Sequence, residues 1–432
     1  MQRRKPSTKA LRPLSLIAAL MFATATFASG STIYAFPSAG SQGALPSANL
    51  VSDSAGNLYG TTVLGGAFGN GAVFELLKPV PPSTEWAETV LYSFSGLTDG
   101  AQPSAGVIFD SAGNLYGTTY QGGTINVHCP VGCGTVFELS PPAAPGGSWT
   151  ATVLHSFQGG GDGAKSVSGL VFDQKGILYG TTAGGGVNNV GTVFMLTPPA
   201  TPGEPWVESV IFTFSAAQYP RGTPVVDSRG NLYGTTYADT TRDAGVAFRL
   251  APPAKQGGAW RYRVIYSFGS SPTDSSNPNA TLALHNGHLY GTAFSGGEYN
   301  HGTVFELSPP AVAGGTWSEV VLYSFGAVTN DGVAASGNTL FDKTGNIFSM
   351  TIYGGGKGAN ICGGGGCGTI FKLTPPTSPG GDWTESVLHA FSGGKDGGEP
   401  WGGLAFGKNG VLYGTAELGG SGKNGAVFGL AP

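Results

Sequence analysis

Apolar positions along this chain gather in short β-rich runs such as VIF, LYGTT, TVFEL and VLYSF, and Gly, Asn, Asp and Pro fill the gaps between them. Runs of that length bounded by turn residues predict strands. No stretch joins a 3.6-residue apolar period to helical length, so almost no helix is expected. In GVIFDSAGNLYGTT, residues 106–119, two such runs flank the turn Asp110–Asn114, where Asn and Gly supply the positive φ values of a tight hairpin.

The runs repeat, at a period of roughly sixty residues. The LYGTT element starts at Leu58, Leu115, Leu178, Leu232, Leu289, Ile347 and Leu412, and each copy is followed by a VFEL-like element beginning at Val73, Val136, Val193, Ala247, Val304, Ile370 and Val427. A third element, W-x-x-x-V-L-Y-S-F, is headed by Trp86, Trp149, Trp206, Trp260, Trp317 and Trp383. Its seventh copy stands at the other end, where TIYAF, Thr32–Phe36, aligns with VLYSF and Ala28 falls at the Trp position. The chain is therefore seven units cut inside one unit. An open solenoid gains nothing from that cut, whereas a closed ring uses it to join its ends and hide its strand edges. The fold expected is all-β: a seven-bladed β-propeller of four-stranded antiparallel blades, strands a to d, closed by the N-terminal strand 32–36. Trp and Tyr/Phe sites are read as packing between blades.

The repeated pattern D-x-x-G-N-L-Y-G-T-T-x-x-G-G-x-x-x-x-G-T-V-F-x-L, preceded by S-F-x-x-x-x-D-G-x-x-P, resembles the GloVer tandem repeat of bacterial exported proteins described as choice-of-anchor tandem repeat proteins. The similarity spans essentially all of residues 31–432. It implies an exported repeat protein and transfers no catalytic residue.

Composition adds to this picture. Only 11% of residues are charged against about 25% in an average soluble protein, and the net charge is −4. No Lys/Arg run follows Arg12, so no nucleic-acid partner is expected. Arg3, Arg4, Lys5, Lys9 and Arg12 precede the apolar run PLSLIAALMFATATFA, too short for the roughly twenty residues of a bilayer span. Residues 1–28 are thus expected to be a signal peptide cleaved after Ala25 or Ala28, and residues 29–432 a single exported, monomeric domain with no membrane span. The cysteines come as two close pairs, Cys129 with Cys133 and Cys362 with Cys367, expected as local disulfides of an oxidising compartment and not as a zinc site.

Alternating strand direction puts the a–b and c–d connections on one face of the ring and the b–c and d–a connections on the other. The second face carries the variable Gly-rich loops and both cysteine insertions, which makes it the candidate functional surface. Its d–a loops repeat an Asp-Gly pair at Asp99, Asp162, Asp331 and Asp396, and Glu399 and Trp401 lie beside the last. These residues are the candidate ligand-binding set. The Asp-Gly carboxylates suit either turn chemistry or a hard cation such as calcium, and no other cofactor is expected. The Asp of FDSAGN (Asp53, Asp110, Asp173, Asp227 and Asp342) is read as a turn residue, and Glu75, Glu138 and Glu306 as paired or solvated positions. His155 and His389 replace the Tyr of VLYSF and read as sheet residues, while His285 and His288 flank a hairpin where two metal ligands could meet. G-x-S-x-G and H-E-x-x-H are both absent. The functional expectation is a binding or scaffold protein for carbohydrate or protein. Its rivals are a propeller-type polysaccharide lyase or glycoside hydrolase using acids at the channel mouth, and a structural cell-envelope protein.

Overall fold

A computed structural model describes residues 30–432 apart from 39–40, 145, 202, 216–217, 256, 313, 364, 379 and 409. The expected signal peptide, residues 1–28, lies outside the described residues. Seven antiparallel sheets form the ring. Blade 1 contributes Val51–Ser52, Leu58–Thr62, Ala72–Leu77 and Ala87–Ser93 as strands a to d. Blade 7 takes Ala405–Phe406, Leu412–Ala416 and Ala426–Leu430 as a to c, and its d strand is Ser31–Ala35. Ser31 pairs with Gly429 and Ala35 with Ala426, so the two ends of the chain close the ring as the sequence predicts. Phe36, one residue beyond that strand, is fully buried. Among the described residues helix is confined to a four-residue turn, Ala359–Cys362, and a 3-10 turn, Gly160–Asp162.

The seams between blades hold the fold together, and one residue pair recurs at all of them. The Phe ending each d strand meets the VFEL Phe of the next blade edge-on or tilted, from Phe94 and Phe137 round to Phe391 and Phe428, with centroids 5.0–5.4 Å apart. Phe36 against Phe74, at 5.3 Å, closes the circle from blade 7 to blade 1. Such rings contribute about 1.5–3 kcal/mol each by burial and about 0.5–1.5 kcal/mol more per edge-on pair. At the outer rim Trp86, Trp206, Trp260 and Trp317 pack on the LYGTT Tyr of the preceding blade.

These seams explain the repeat's wording. The Gly of LYGTT is the cross-strand partner of the Phe, and a Cβ added at Gly117 would lie 2.5 Å from the ring of Phe137. In blades 1, 2, 5 and 7 the following Thr sends its hydroxyl to the next blade: Thr61 donates to the Ala105 carbonyl at 2.9 Å, Thr118 to that of Ser168 at 2.9 Å, Thr292 to that of Gly337 at 3.0 Å, and Thr415 to that of Ala48 at 3.0 Å. Glycine makes room for the aromatic core, and in four of the blades threonine adds a tie to the neighbour.

Strand a is not one continuous strand in every blade. In blades 5 and 6 it is split in two, Ser275–Pro278 with Ala283–His285 and Gly332–Ala335 with Leu340–Phe341, both halves pairing with one long b strand. Elsewhere its outer half shrinks to the pair Gly43–Ala44 or to single bridges at Ala101, Ala164, Pro220 and Gly398. Among the described residues no helix is long and apolar enough to cross a membrane.

Candidate functional site

The break in strand a builds the wall of the axial channel. One residue per blade, Leu45, Gln102, Lys165, Tyr219, Asn277, Ala334 and Glu399, stands in the left-handed region, with φ between 34° and 60°. Non-glycine residues are uncommon there, and the conformation survives where the surroundings over-determine it. Here the N–H of Gln102 donates to the Asn70 carbonyl of the preceding blade at 2.7 Å, while the Gln102 carbonyl accepts from Tyr120 N at 3.1 Å. Glu399 repeats the arrangement with Cys367 and Glu417, at 2.9 and 3.3 Å.

From that kink inward, burial alternates with the period of a strand. Leu45, Ser47 and Asn49 are half-buried while Pro46, Ala48 and Leu50 are buried, and residues 102–107, 165–170 and 277–282 repeat the pattern. Alternation with one face in the seams leaves the other to the channel. Three tiers result. The rim holds the left-handed residues; a middle tier holds Ser47, Ser104, Val167, Arg221, Asn279 and Trp401, with the blade 6 equivalents Ala334 and Ser336 buried; the waist holds small residues such as Asn49, Gly106 and Gly169. The waist is tight: a Cβ added at Gly106 would lie 2.5 Å from the Asn49 carbonyl of the neighbouring blade.

Chemistry departs from seven-fold repetition in the upper tiers. In a ring of seven, blade 7 lies opposite blades 3 and 4. Blade 7 brings Glu399, Trp401 and Glu417; blades 3 and 4 bring Lys165, Tyr219 and Arg221. Burial, and then the neighbouring Glu399 charge, holds the Glu417 carboxyl above its ordinary range. The Tyr353 phenol of blade 6 is raised by burial and then by both acids, which puts it beside them. On the far side the Arg221 guanidinium covers the Tyr237 ring at 4.6 Å and the Lys165 ammonium reaches the Tyr120 ring at 5.8 Å.

The other candidate acids sit further out, at the seams. Asp99 accepts from Tyr92 Oη at 2.9 Å and from Ser95 N at 2.8 Å. Asp331 accepts from Tyr323 Oη at 3.0 Å and Gly326 N at 2.7 Å, Asp396 from Ser392 N at 2.9 Å with His389 Nε2 at 3.4 Å, and Asp162 from Gln158 N at 2.6 Å beside His155. Their carboxylates thus cap the loop that carries them. Glu399 and Trp401 lie instead on the inward run of blade 7, at its left-handed kink and two residues beyond it. Sequence reasoning missed Lys165, Tyr219, Arg221 and Glu417; the D-G-x-x-P pattern was a signal, because its Pro marks the residue after the kink.

Asp53 caps its hairpin through Ala55 N, Gly56 N and Asn57 N at 2.7–2.9 Å, and Glu75 accepts from Tyr59 Oη at 2.6 Å. His285 and His288 face different neighbours: His285 stacks on Phe341 at 4.1 Å, and His288 Nδ1 lies 2.7 Å from Glu306. Both disulfides form, Cys129–Cys133 and Cys362–Cys367. Disulfides mark an oxidising, non-cytoplasmic compartment. His128, Cys129, Gly159, Gly160 and Val187 line a cavity of about 300 Å³ on the same face, with Lys165 at its edge.

The family description Gloeobacter/Verrucomicrobia repeat matches residues 20–204 and 201–428. The chain belongs to this family. No curated protein matches this Gloeobacter/Verrucomicrobia repeat chain. Among solved structures it is similar to a fungal alcohol oxidase in complex with copper, at 13% identity and a TM-score of 0.56, over 93% of this chain and 76% of that one. It is also similar to the NanB sialidase of Streptococcus pneumoniae, at 12% identity and a TM-score of 0.43, over 93% and 70%. At such identities the likeness concerns the fold alone.

Proposed function

We propose that this Gloeobacter/Verrucomicrobia repeat protein is an exported binding module that takes a carbohydrate chain end or a short polar ligand into the mouth of its axial channel. The observation that carries the reading is the opposition of Trp401 and Glu399 on blade 7 to Arg221 and Lys165 on blades 4 and 3, above a waist of small residues. Ligand sites combine apolar or aromatic surface with a few placed polar groups, and sugars present an apolar face together with hydroxyls for such a set. The left-handed kinks hold these side chains on a rigid scaffold, which lowers the ordering cost of binding. Export agrees with the disulfides and with the basic, apolar N-terminal segment.

The test is retention of the mature protein on a panel of insoluble polysaccharides, with Trp401→Ala and Arg221→Ala alongside. The expected outcome is retention on at least one glycan and a loss of about tenfold or more in each variant, the scale of one well-packed aromatic or paired cation. Retention unchanged in both variants would move the ligand off the channel. A second reading rests on Glu417, whose carboxyl is raised by burial and then by the nearby Glu399 charge, because glycan cleavage uses a pair of neighbouring acids. Release of sugar, lost in Glu417→Gln, would make the module a glycan-cleaving enzyme.

A further inference from the structure

At two seams a Tyr of strand d stands between two carboxylates. The Tyr266 hydroxyl lies 2.8 Å from Asp274, in its own d–a loop, and 3.1 Å from Glu319, on strand d of the next blade. Tyr323 donates to Asp331 at 3.0 Å with Glu385 beside it, whereas Tyr34 donates to the single carboxylate of Glu88 at 2.7 Å. Each phenol contributes one proton and no strong metal-binding lone pair.

The seam between blades 2 and 3 has the same frame with His155 in place of the Tyr. His155 Nε2 lies 3.1 and 3.2 Å from the two Asp162 oxygens. Glu208, from strand d of blade 3, completes a set whose ligand atoms all lie within 4.8 Å of one another. Among the described residues it is the one group of three or more such side chains that close together. Adjacent ligands on a tetrahedral zinc at about 2.0–2.1 Å stand roughly 3.3 Å apart, close to the His155–Asp162 separation. Glu208 Oε1 is buried with no hydrogen-bond partner. Buried Glu319 and Glu385 oxygens share that state, so what sets this seam apart is the imidazole nitrogen. Gln158 N holds the Asp162 carboxylate at 2.6 Å, the outer support that orients a ligand. The His155 and Asp162 side chains keep 20% exposure each, enough for an ion to enter.

The seam between blades 6 and 7 supplies an internal control. His389 and Asp396 recur there, but the position of Glu208 is taken by Gly30, where a Cβ would lie 2.4 Å from His389 Nδ1. Two ligands are left.

We propose that His155 Nε2, Asp162 and Glu208 bind one zinc ion across the seam between blades 2 and 3, with water completing its shell. One nitrogen and two carboxylates suit zinc, whereas calcium takes oxygen ligands alone. The site is separate from the channel mouth.

Calorimetric titration of tag-free, chelator-stripped full-length protein with ZnCl₂ tests it, comparing wild type with His155→Tyr, Glu208→Gln and His389→Tyr. Tyr already serves at Tyr34, Tyr92, Tyr266 and Tyr323, so His155→Tyr is built to keep the seam folded. One zinc per chain is expected in wild type and His389→Tyr, with affinity down at least tenfold in His155→Tyr and Glu208→Gln. A zinc-induced rise in melting temperature should follow the same division. Absence of saturable binding in wild type, or wild-type affinity in His155→Tyr, overturns the proposal. So does calcium binding of equal affinity that both seam variants retain.

Discussion

At the scale of single residues, the mid-strand Gly of LYGTT shows how strictly packing writes the repeat. Its missing side chain is the space that the VFEL Phe fills, and Leu50, Val107, Leu170, Leu282 or Leu404 borders the same space in five blades. Blade 6 carries Ser349 there, and the bordering position is the smaller Thr339. Gly117→Ala, opposite Phe137 and Val107, is therefore expected to destabilise the protein by about 1–3 kcal/mol, the usual cost of overpacking, read as a lower denaturant midpoint with unchanged slope. The glycine's reason was legible as close approach, but its partner was not. Which ring comes near depends on the cross-strand register.

At the scale of elements, seams and loops set the chemistry. Glu385 lies on strand d of blade 6, and burial, then the Asp331 charge, raises its carboxyl from 4.5 to about 7. The folded state therefore holds this proton more tightly than the unfolded chain. Stability from the neutral acid is complete below about 4.5, declines as pH rises toward about 7, and is gone above it. Glu385→Gln should melt higher than wild type at pH 8 and fall less steeply between those limits, as thermal scans across pH would record. The cysteine insertions are elements of the same face: Gly393, in the loop after strand d, lies close to both Cys362 and Cys367. Replacing both with Ser frees a short loop, for which chain entropy gives about 2 kcal/mol of lost stability, measurable by denaturant titration. The sequence shows the paired cysteines and the Asp-Gly loops, yet not that Asp331 and Glu385 meet, because they belong to different repeats.

At the scale of the whole molecule, closure governs. Strand Ser31–Ala35 and Phe36 complete both the last sheet and the last aromatic seam. Removing residues 29–36 would expose the edge of Ala426–Leu430 and open the ring, so the truncated chain should elute as aggregate in size-exclusion chromatography and lose its cooperative melting. A cooperative monomeric melt in that variant would contradict closure by this strand.

The repeat alone determined the number of blades, the strand order and the closing strand, because each is a consequence of local β pattern and of counting units along the chain. The tertiary structure alone decided where strand a kinks in each blade, and hence that Glu399 of blade 7 and Lys165 of blade 3 occupy equivalent left-handed positions in the ring. It alone joined His155, Asp162 and Glu208, the last lying 46 residues beyond Asp162. Repetition records what every unit shares, the core, whereas a site is assembled where units differ. Only the closed ring brings those differences within reach of one another.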